Sequence, residues 1–328
     1  MHGVVLREFG GPEALVPGEH PDPVAGPGEV VVELSAAALN WHDCLVRNGQ
    51  YPSVPLPHIP GSDGAGRLRE TGEPVIIVPS LWWGEDQRAP GPSWQILGDY
   101  VDGTYAELVK VPAENVRPIP VGWSAIEAAA LPLAGVTAYR ALFSRGGLQR
   151  GEITLILGAG GGLSTIAIAL ARMAGARVLV TTSSQAKLAA SRHRDGADNG
   201  VLYTEDSWPE QIRELTGGAG VDLVLDSVGS TLEAALTTLR GGGRLVSLGA
   251  TGSARTEIDL RRLYFGQWSI LGSTMGSQRD FDGLLELLAE DSAWRPHVDQ
   301  TFPLDQAADA HAAMERREHT GKLVLQIS

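Results

Sequence analysis

The chain is 328 residues long, with 43% hydrophobic residues, 20% charged residues and a formal net charge of −13. This length and apolar content predict a globular protein of about two domains and exclude a disordered or collagen-like chain. The only cysteine, Cys44, excludes an internal disulfide and any zinc site that needs two or more thiolates.

Charge and hydrophobic runs limit the partners and the location. Nucleic acids and anionic membranes bind clustered basic residues, and this acidic chain shows no such cluster. No apolar run reaches the roughly 18 residues that span a bilayer. The first residues carry charge at Arg7 and Glu8 instead of a signal-peptide core. We therefore expect a cytoplasmic protein with neither a nucleic acid nor a membrane as partner.

Proline and glycine set the character of the first third of the chain. Sixteen of the 20 prolines lie within the first 120 residues, where short β-branched runs such as 30–34 and 74–78 alternate with loops. Proline interrupts helices and central strands, so this density predicts a β-rich segment of short strands joined by irregular connections.

From about residue 122 the pattern changes to alternating helices and apolar strands. A helical stretch with one proline leads into strands predicted at 153–157, 177–181, 222–226 and 244–248. Between them lie a glycine cluster with an alanine-rich helix, and helices near 185–192 and 231–239. Continuous apolar strands that alternate with helices are typical of a parallel sheet covered on both faces.

From Ile270 onward the chain returns to mixed character. Helices are predicted near 281–289 and 307–316, with a short strand before Pro303 and a closing strand KLVLQI. We expect this tail to fold back onto the N-terminal segment. The predicted fold class is α/β, with a β-rich domain formed by residues 1–121 and 269–328 and an inserted doubly wound parallel-sheet domain over residues 122–268.

A cluster of four glycines between residues 158 and 162 separates the first strand of the inserted domain from its helix. Glycines there let the backbone approach a pyrophosphate, and the helix N-terminus offers free N–H groups and a positive dipole end. The third position of the usual glycine pattern falls on Leu163 or Ser164. A tight turn without a ligand is the alternative to a dinucleotide site, which would use Gly160, Gly161, Gly162 and Leu163.

The end of the second predicted strand distinguishes the two dinucleotides. An acidic residue there binds the ribose hydroxyls of NADH and repels an added phosphate. Residues 181–187 read TTSSQAK, with no carboxylate. Hydroxyls and a lysine suit a 2′-phosphate, so we expect NADPH, bound by Thr182, Ser183, Ser184 and Lys187. Arg192 could add positive charge there. The alternative is that Lys187 and Arg192 only lie on a solvated helix face, and this alternative suits Arg192 better.

Short motifs spread over nearly the whole chain in this order: RNGQYP, IPGSDGAG, DGTYAELVKVP, LPLAGVTAYRAL, the strand–glycine–helix unit, GVDLVLDSVG, GGGRLVSLGATG, ILGSTMG and HTGKLVLQI. With them the sequence resembles the medium-chain dehydrogenase/reductase superfamily. The resemblance implies a GroES-like substrate domain, a Rossmann cofactor domain and hydride transfer to or from nicotinamide in a cleft between them. It also implies a homodimer joined through the cofactor domains, for which residues 263–272 are a candidate contact.

Zinc-dependent members of that superfamily hold the catalytic metal with a cysteine, a histidine and a second cysteine, and carry four cysteines in a structural lobe. The matching positions here are Asn40, Ser62 and a position near Leu133, and residues 80–100 contain no cysteine. We therefore expect no metal, and PGSD and RNGQYP resemble the zinc-free quinone oxidoreductases, which include the zeta-crystallins. The alternative is a metal held by ligand types whose spacing matches no standard zinc pattern, namely His42, Asp43, Cys44, His58 and Asp63.

Without a metal, the oxyanion formed by hydride delivery to a carbonyl compound needs hydrogen-bond donors or a proton. Asn40 and Tyr51 match active-site positions of the zinc-free relatives. The resemblance implies that Asn40 donates to a carbonyl oxygen and that Tyr51 donates a hydrogen bond or a proton. The alternatives are that the Asn40 amide caps a loop and that the Tyr51 ring only packs.

The resemblance also assigns the nicotinamide end of the cofactor site. Thr137 matches the position whose hydroxyl bonds the carboxamide. In the family, the backbone of two further stretches passes close to the nicotinamide ring, and small residues allow this approach. The positions of this chain that match those stretches are Gly249, Ala250, Ser273 and Thr274.

Together these features predict a zinc-independent, NADPH-dependent oxidoreductase that transfers hydride to a quinone or an α,β-unsaturated carbonyl compound. Two alternatives stay open. One is a reductase of enoyl thioesters or other activated carbonyls in the same superfamily, and the other is a non-enzymatic, NADPH-binding redox sensor.

Overall fold

A computed structural model of the chain describes residues 1–51 and 54–327. Its strands are β1 (His2–Leu6), β2 (Leu15–Glu19), β3 (Glu29–Ala38), β4 (Asp63–Leu68), β5 (Pro74–Ile77), β6 (Ser80–Leu81), β7 (Gln95–Ile96), β8 (Leu108–Pro112), β9 (Val116–Pro118), β10 (Ile153–Ile156), β11 (Arg177–Thr182), β12 (Asn199–Leu202), β13 (Val221–Asp226), β14 (Leu239–Ser247), β15 (Ser269–Gly272), β16 (Val298–Pro303) and β17 (Lys322–Gln326).

The α-helices in the same residues are α1 (Trp41–Arg47), α2 (Ala125–Ala129), α3 (Pro132–Tyr139), α4 (Gly162–Met173), α5 (Gln185–Ala190), α6 (Trp208–Leu215), α7 (Leu232–Leu236), α8 (Leu260–Gly266), α9 (Gln278–Ala289) and α10 (Ala307–Arg316). Arg140–Arg145 and Ser191–Asp195 are π-helical. Within the ranges that the structure describes, no helix has the length and apolar character to cross a membrane.

The chain divides into two compact units. Unit 1 comprises Met1–Ala134, Ser277–Leu285 and Ala293–Ser328, and unit 2 comprises Gly135–Gly276 and Glu286–Ser292. These boundaries differ from those expected at residues 121 and 268. The first lies later because α2 packs on β3 and β4. The second lies later because β15 pairs with β14 and so keeps the chain in unit 2 beyond residue 268.

Unit 1 is built on a mostly antiparallel sheet with the strand order β16-β17-β3-β4-β5-β9, in which β8 also pairs with β3. Strand β3 runs antiparallel to both β4 and β17, so Ala38 lies opposite Asp63 on one side and Val324 on the other. The carboxyl end of β3 therefore lies beside the first residues of β4 and β17. The C-terminal strand β17 lies in this sheet between β16 and β3. The tail thus folds back onto the N-terminal segment, as the sequence predicts.

Unit 2 contains a six-stranded parallel sheet with the order β12-β11-β10-β13-β14-β15. Counted within the unit, this is the order 3-2-1-4-5-6 of the doubly wound dinucleotide-binding fold, and the predicted fold class is confirmed. The order reverses between β10 and β13. In such sheets ligands bind outside the carboxyl ends of the strands at that reversal, so the fold directs attention to the residues that follow β10 and β13.

Candidate active site

Three polar side chains meet where strand β3 ends in unit 1. Asn40 follows β3, Asp63 begins β4 and Lys322 begins β17. The Lys322 Nζ donates to Asn40 Oδ1 at 2.6 Å and to Asp63 Oδ2 at 3.0 Å. Asn40 Nδ2 donates to Asp63 Oδ2 at 2.9 Å. All three residues are buried. Asn40, which is predicted to donate to a substrate carbonyl oxygen, therefore belongs to a buried group of one cation, one anion and one amide.

The Asp63 carboxylate uses both oxygen atoms within this group. Its Oδ1 accepts a hydrogen bond from the backbone N–H of Leu133 at 2.7 Å. Burial raises the pKa of Asp63, while the charge of Lys322 and the hydrogen bonds from Asn40 and Leu133 oppose that rise. The position near Leu133, which zinc-dependent relatives use for a metal ligand, here supplies a backbone donor to a carboxylate.

Asn40 is the N-cap residue of α1, and with Asp43 it forms a capping box at the start of that helix. Asn40 precedes α1 with an extended backbone, and its own N–H donates to Asp43 Oδ2 at 2.7 Å. The Asp43 carboxylate contributes to this cap, and the side-chain amide of Asn40 also bonds Asp63 and Lys322. The active-site role of Asn40 stays a prediction.

Tyr51 packs against His42. In the sequence analysis, His42 was named only as a possible metal ligand. Their ring centroids are 4.6 Å apart in an edge-to-face arrangement. His42 Nε2 lies 3.0 Å from Asp99 Oδ1, close enough for an ion pair although the angle is not that of a hydrogen bond. Burial opposes the charged imidazolium, but Asp43 and Asp99 outweigh it and raise the pKa of His42 to about 9. Burial, with the same two carboxylates, also raises the pKa of Tyr51, so the phenol stays protonated at neutral pH.

A buried chain of hydrogen bonds fixes the Asp43 carboxylate. Tyr105 donates to Asp43 Oδ2 at 3.2 Å and lies 3.1 Å from His311 Nε2. Arg47 Nη1 donates to His311 Nδ1 at 3.2 Å, and because arginine has no acceptor, His311 carries its proton on Nε2. Burial lowers the pKa of His311 to about 4 with the help of the Arg47 charge, against the charge of Asp43. The imidazole is therefore neutral and donates to Tyr105.

The side chains considered as metal ligands have other partners. His58 Nε2 lies 2.7 Å from the carbonyl oxygen of Gly98, and Cys44 Sγ lies 3.6 Å from His311 Nδ1. Burial, together with the charge of Asp43, raises the pKa of Cys44 to about 12, which disfavours the thiolate that binds metals. Over residues 1–51 and 54–327, no group of three or more His, Cys, Asp or Glu side chains is placed to hold a metal ion.

In unit 2 the glycine turn lies between β10 and α4, at the reversal of the strand order. Gly158 and Gly160 have φ angles of +72° and +115°, which residues with a side chain rarely adopt. Ser164 is buried, and its hydroxyl donates to the carbonyl oxygens of Gly158 and Gly161 at 3.2 and 2.9 Å. A serine thus lies where the usual pattern has its third glycine.

The start of α4 gives this turn the features of an anion site. Gly161 precedes the 12-residue helix without a side-chain cap. The first N–H groups of the helix, including those of Gly162 and Leu163, are therefore uncapped by a side chain and can bind an anion. The stem of Lys187 lies over the turn, since a Cβ added to Gly160 would be 3.1 Å from Lys187 Cδ.

The hydroxyl groups after β11 divide into interior and exterior ones. Thr182 is 1% exposed, and its hydroxyl donates to the carbonyl oxygen of Ala159 at 3.0 Å. Ser183 is exposed, and Ser184 Oγ accepts from the Lys187 N–H at 3.3 Å at the start of α5. The expectation that the Thr182 hydroxyl binds a 2′-phosphate needs correction, because that hydroxyl supports the glycine turn. Ser183, Ser184 and Lys187 stay as candidate phosphate ligands.

Two hydroxyl groups of unit 2 are buried without a hydrogen-bond partner in the described residues: Thr137 Oγ1, on α3, and Ser273 Oγ, just after β15. Thr137 is 5% exposed, and the backbone N–H of Ser273 donates to the carbonyl oxygen of Ser247 at 2.9 Å. Leaving a buried hydroxyl unpaired costs about 1–3 kcal/mol, so each of these two hydroxyls has an open position for a ligand or a water molecule. Both residues are predicted nicotinamide contacts, and with the glycine turn they fit a nicotinamide dinucleotide.

The other predicted nicotinamide residues lie in loops after the parallel strands. A Cβ added to Gly249 would be 2.8 Å from the carbonyl oxygen of Ser227, so this position has to be glycine. Ala250 and Thr274 are exposed. Their assignment to the cofactor site stays a prediction.

The sequence interpretation misses Asp226, the last residue of β13. Its Oδ1 accepts hydrogen bonds from the N–H groups of Val228 and Gly229 at 2.8 and 3.0 Å, while its Oδ2 is buried without a partner in the described residues. Burial raises the pKa of Asp226 against those two hydrogen bonds. The sequence could have pointed to Asp226, because a charged residue at either terminus of an apolar strand is unusual. Lys322, the first residue of the strand in GKLVLQI, stands out in the same way.

Two protein-family models match the chain. Residues 26–121 match the alcohol dehydrogenase GroES-like domain, and residues 162–290 match the zinc-binding dehydrogenase model. The matched segments fall mainly in unit 1 and unit 2 respectively.

Curated relatives align over nearly the whole chain. A zinc-type alcohol dehydrogenase-like protein of Schizosaccharomyces pombe is 33% identical, covering 99% of this chain and 98% of the relative. An NAD-dependent alcohol dehydrogenase of Sulfolobus acidocaldarius is 31% identical over all of both chains. A quinone oxidoreductase of Pseudomonas aeruginosa is 31% identical over 98% of each chain.

Solved structures give the same result. A structure described as an NAD-dependent alcohol dehydrogenase superposes with a TM-score of 0.94 at 39% identity, covering all of both chains. The structure of a mycobacterial protein complexed with NADPH superposes with a TM-score of 0.83 at 28% identity, again over all of both chains. The relatives are named as alcohol dehydrogenases or as a quinone oxidoreductase, and the coenzymes named are NAD for two of them and NADPH for the mycobacterial complex.

Proposed function

Because the chain belongs to the medium-chain dehydrogenase/reductase superfamily, we propose that it is a zinc-independent, NADPH-dependent reductase of quinones or α,β-unsaturated carbonyl compounds. Membership in the superfamily makes the protein an oxidoreductase with a nicotinamide nucleotide as its cofactor and a small molecule as its substrate. The independence from zinc, the choice of coenzyme and the substrate class are the proposal.

The observation that carries this proposal is the group formed by Asn40, Asp63 and Lys322. An amide whose oxygen accepts from an ammonium group at 2.6 Å has its lone pairs turned to that cation, and the N–H of Asn40 that does not bond Asp63 can donate to a substrate. When bound, NADPH supplies a hydride. The Asn40 Nδ2–H would then donate to the oxygen atom on which negative charge develops, which is the role that a zinc ion has in metal-dependent relatives.

Tyr51 is the proton donor in this proposal. Its phenol is protonated at neutral pH, and its ring lies 4.6 Å from that of His42. The edge-to-face contact with His42 holds the Tyr51 ring in place. Quinones and enones both need this proton after hydride transfer, so the pair suits either substrate class.

The preference for NADPH rests on three residues after β11. Ser183 and Ser184 offer hydroxyl groups, and Lys187 offers a positive charge beside the glycine turn, where NADH-specific proteins place a carboxylate. Arg192 is the further basic residue of this segment, and it lies in the π-helical stretch that follows α5.

We also infer a homodimer joined along β15, the terminal strand of the unit 2 sheet. A terminal strand offers unpaired backbone groups to a second copy. Beside it α8 exposes Leu260, Tyr264 and Phe265 by 67%, 53% and 78%, which is apolar surface that an interface would cover. Light scattering on the purified protein tests this: we expect twice the mass of one chain, and a Phe265→Asp variant should shift the protein toward the monomer.

The proposed activity is tested by following nicotinamide absorbance with purified protein. NADPH and NADH are each combined with a quinone, a cyclic enone and an enoyl thioester, and NAD is combined with primary and secondary alcohols. We expect oxidation of NADPH by the quinone or the enone, unchanged after treatment with a chelator and with no stoichiometric zinc in the protein. Turnover only with the thioester, only with alcohols, or tight NADPH binding without turnover would each reject the proposal in favour of another activity.

A further inference from the structure

Lys322 is a buried lysine whose position a structural role alone does not explain. It is 3% exposed, at the start of a strand that is otherwise apolar up to Gln326. Burial of an ammonium group is costly unless partners replace the lost water. An ion pair with Asp63 alone would supply one partner, and buried ion pairs are often no more stable than apolar replacements. Lys322 makes its shorter bond, 2.6 Å, to the neutral amide of Asn40.

The two charged groups fix the orientation of the Asn40 amide. An ammonium group only donates, so Oδ1 of Asn40 has to face Lys322, and an ionised carboxylate only accepts, so Nδ2 has to face Asp63. A half-turn of the amide would set donor against donor and oxygen against oxygen. One N–H of Nδ2 is used by Asp63, and the direction of the second N–H follows from the first because the amide is planar.

We propose that Lys322 is a positioning residue of the active site, which holds the Asn40 amide in one orientation and polarises it so that its second N–H donates to the substrate oxygen. The inference rests on the proposed reductase function and names the residue that replaces the metal as the fixed positive charge. A hydrogen bond accepted by the amide oxygen strengthens the amide N–H as a donor, because linked hydrogen bonds polarise one another. The Leu133 N–H donates to Asp63 Oδ1 at 2.7 Å, which fixes the position of the carboxylate that the Asn40 amide bonds.

The first test compares Lys322→Met, Asn40→Ala and the double variant in steady-state kinetics with NADPH and the quinone or enone that the wild type reduces. We expect Lys322→Met to lower kcat by about 10-fold to 100-fold, as for a misplaced oxyanion donor. The Kd for NADPH should not change, because its predicted ligands belong to unit 2. The double variant should be no slower than Asn40→Ala, since a residue that acts through Asn40 has no effect once Asn40 is gone.

The matched control is Lys110→Met, which removes the other lysine of unit 1 that pairs with a carboxylate. Lys110 Nζ lies 3.0 Å from Glu29 Oε2 and is 38% exposed. This variant should keep wild-type kcat. Lys322→Arg keeps a positive charge and a donor in place and should recover part of the kcat that Lys322→Met loses.

Removal of Lys322 leaves Asp63 buried without its counter-charge, so Lys322→Met is expected to unfold more easily. The variant Lys322→Met/Asp63→Asn removes both charges and separates stability from catalysis: it should fold better than Lys322→Met and still have a low kcat. A kcat that recovers together with the melting temperature would overturn the inference. So would a kcat of Lys322→Met within twofold of the wild type, or multiplicative losses in the double variant with Asn40→Ala. Absence of NADPH turnover in the wild type would instead reject the proposed function, and this inference with it.

Discussion

Replacement of Thr137 by valine should make the cofactor-free protein more stable and its cofactor site weaker. Thr137 Oγ1 is buried in unit 2 without a hydrogen-bond partner in the described residues. Valine has the same shape with a methyl group in place of the hydroxyl. The free energy of unfolding of the cofactor-free protein should therefore rise by about 1 kcal/mol, at the low end of the cost of an unpaired buried hydroxyl.

The same substitution should weaken NADPH binding. If the hydroxyl of Thr137 bonds the nicotinamide carboxamide, the valine variant lacks one hydrogen bond to the cofactor, which is worth about 1 kcal/mol net. A tenfold change in affinity corresponds to about 1.4 kcal/mol, so the Kd should rise about fivefold. Opposite signs for stability and binding distinguish a ligand-binding hydroxyl from one with a structural role.

Urea unfolding of the cofactor-free protein and fluorescence titration with NADPH measure the two quantities. Thr154→Val is the matched control: Thr154 is equally buried in unit 2, but its hydroxyl has a partner, the carbonyl oxygen of Leu223 at 3.3 Å. This control should lose about 1 kcal/mol of stability and keep its Kd for NADPH. A Thr137→Val protein that loses as much stability as the control, with an unchanged Kd, would refute the reasoning.

Three further predictions concern the coenzyme, the proton donor and pH. Ser183→Asp should reverse the preference from NADPH to NADH in kcat/KM, because a carboxylate repels the 2′-phosphate; an unchanged ratio would remove Ser183 from the phosphate site. Tyr51→Phe should lower kcat by about 10² or more if Tyr51 supplies the proton, and full turnover on every substrate would exclude that role. The pKa of His42 is raised from 6.5 to about 9 in the folded protein, so its charge stabilises the fold fully below pH 6.5 and this contribution is lost as the pH rises through 9. Urea unfolding over this range should therefore show a loss of stability that His42→Asn lacks, and equal pH dependence in both proteins would contradict the assignment.

The cofactor unit was the more predictable part of the fold. Its strands are buried on both faces, so they stand out as apolar runs, and the glycine turn marks the first strand-to-helix junction. The short elements β12, α6 and α8 were not predicted from the sequence. The boundary expected at 268 precedes the observed one at Gly276, since the four residues of β15 show no alternation that reveals their partner strand.

In the candidate site, the residue types were predictable and the partnerships were not. Asn40 and Tyr51 were predicted by resemblance to a family, and their roles stay predictions. The bonds from Asn40 to Asp63 and Lys322 join residues 23 and 282 positions apart, and they depend on the register of β3 with β4 and β17. Thr182 was misjudged because nothing in TTSS tells which hydroxyl faces the interior. A one-residue shift of register would exchange them.

The placement of Lys322 on the C-terminal strand also bears on the order in which the molecule forms. Asp63 and Lys322 are separated by 259 residues, and unit 2 consists mostly of one continuous segment between them, Gly135–Gly276. During synthesis at the ribosome, that segment emerges and can fold before Lys322 has been translated. Loop closure over so long a chain is slow and costly in entropy, but a folded unit 2 shortens the effective loop. A nascent chain would thus fold unit 2 first, and the group of Asn40, Asp63 and Lys322 would form only when β17 pairs with β3 in unit 1.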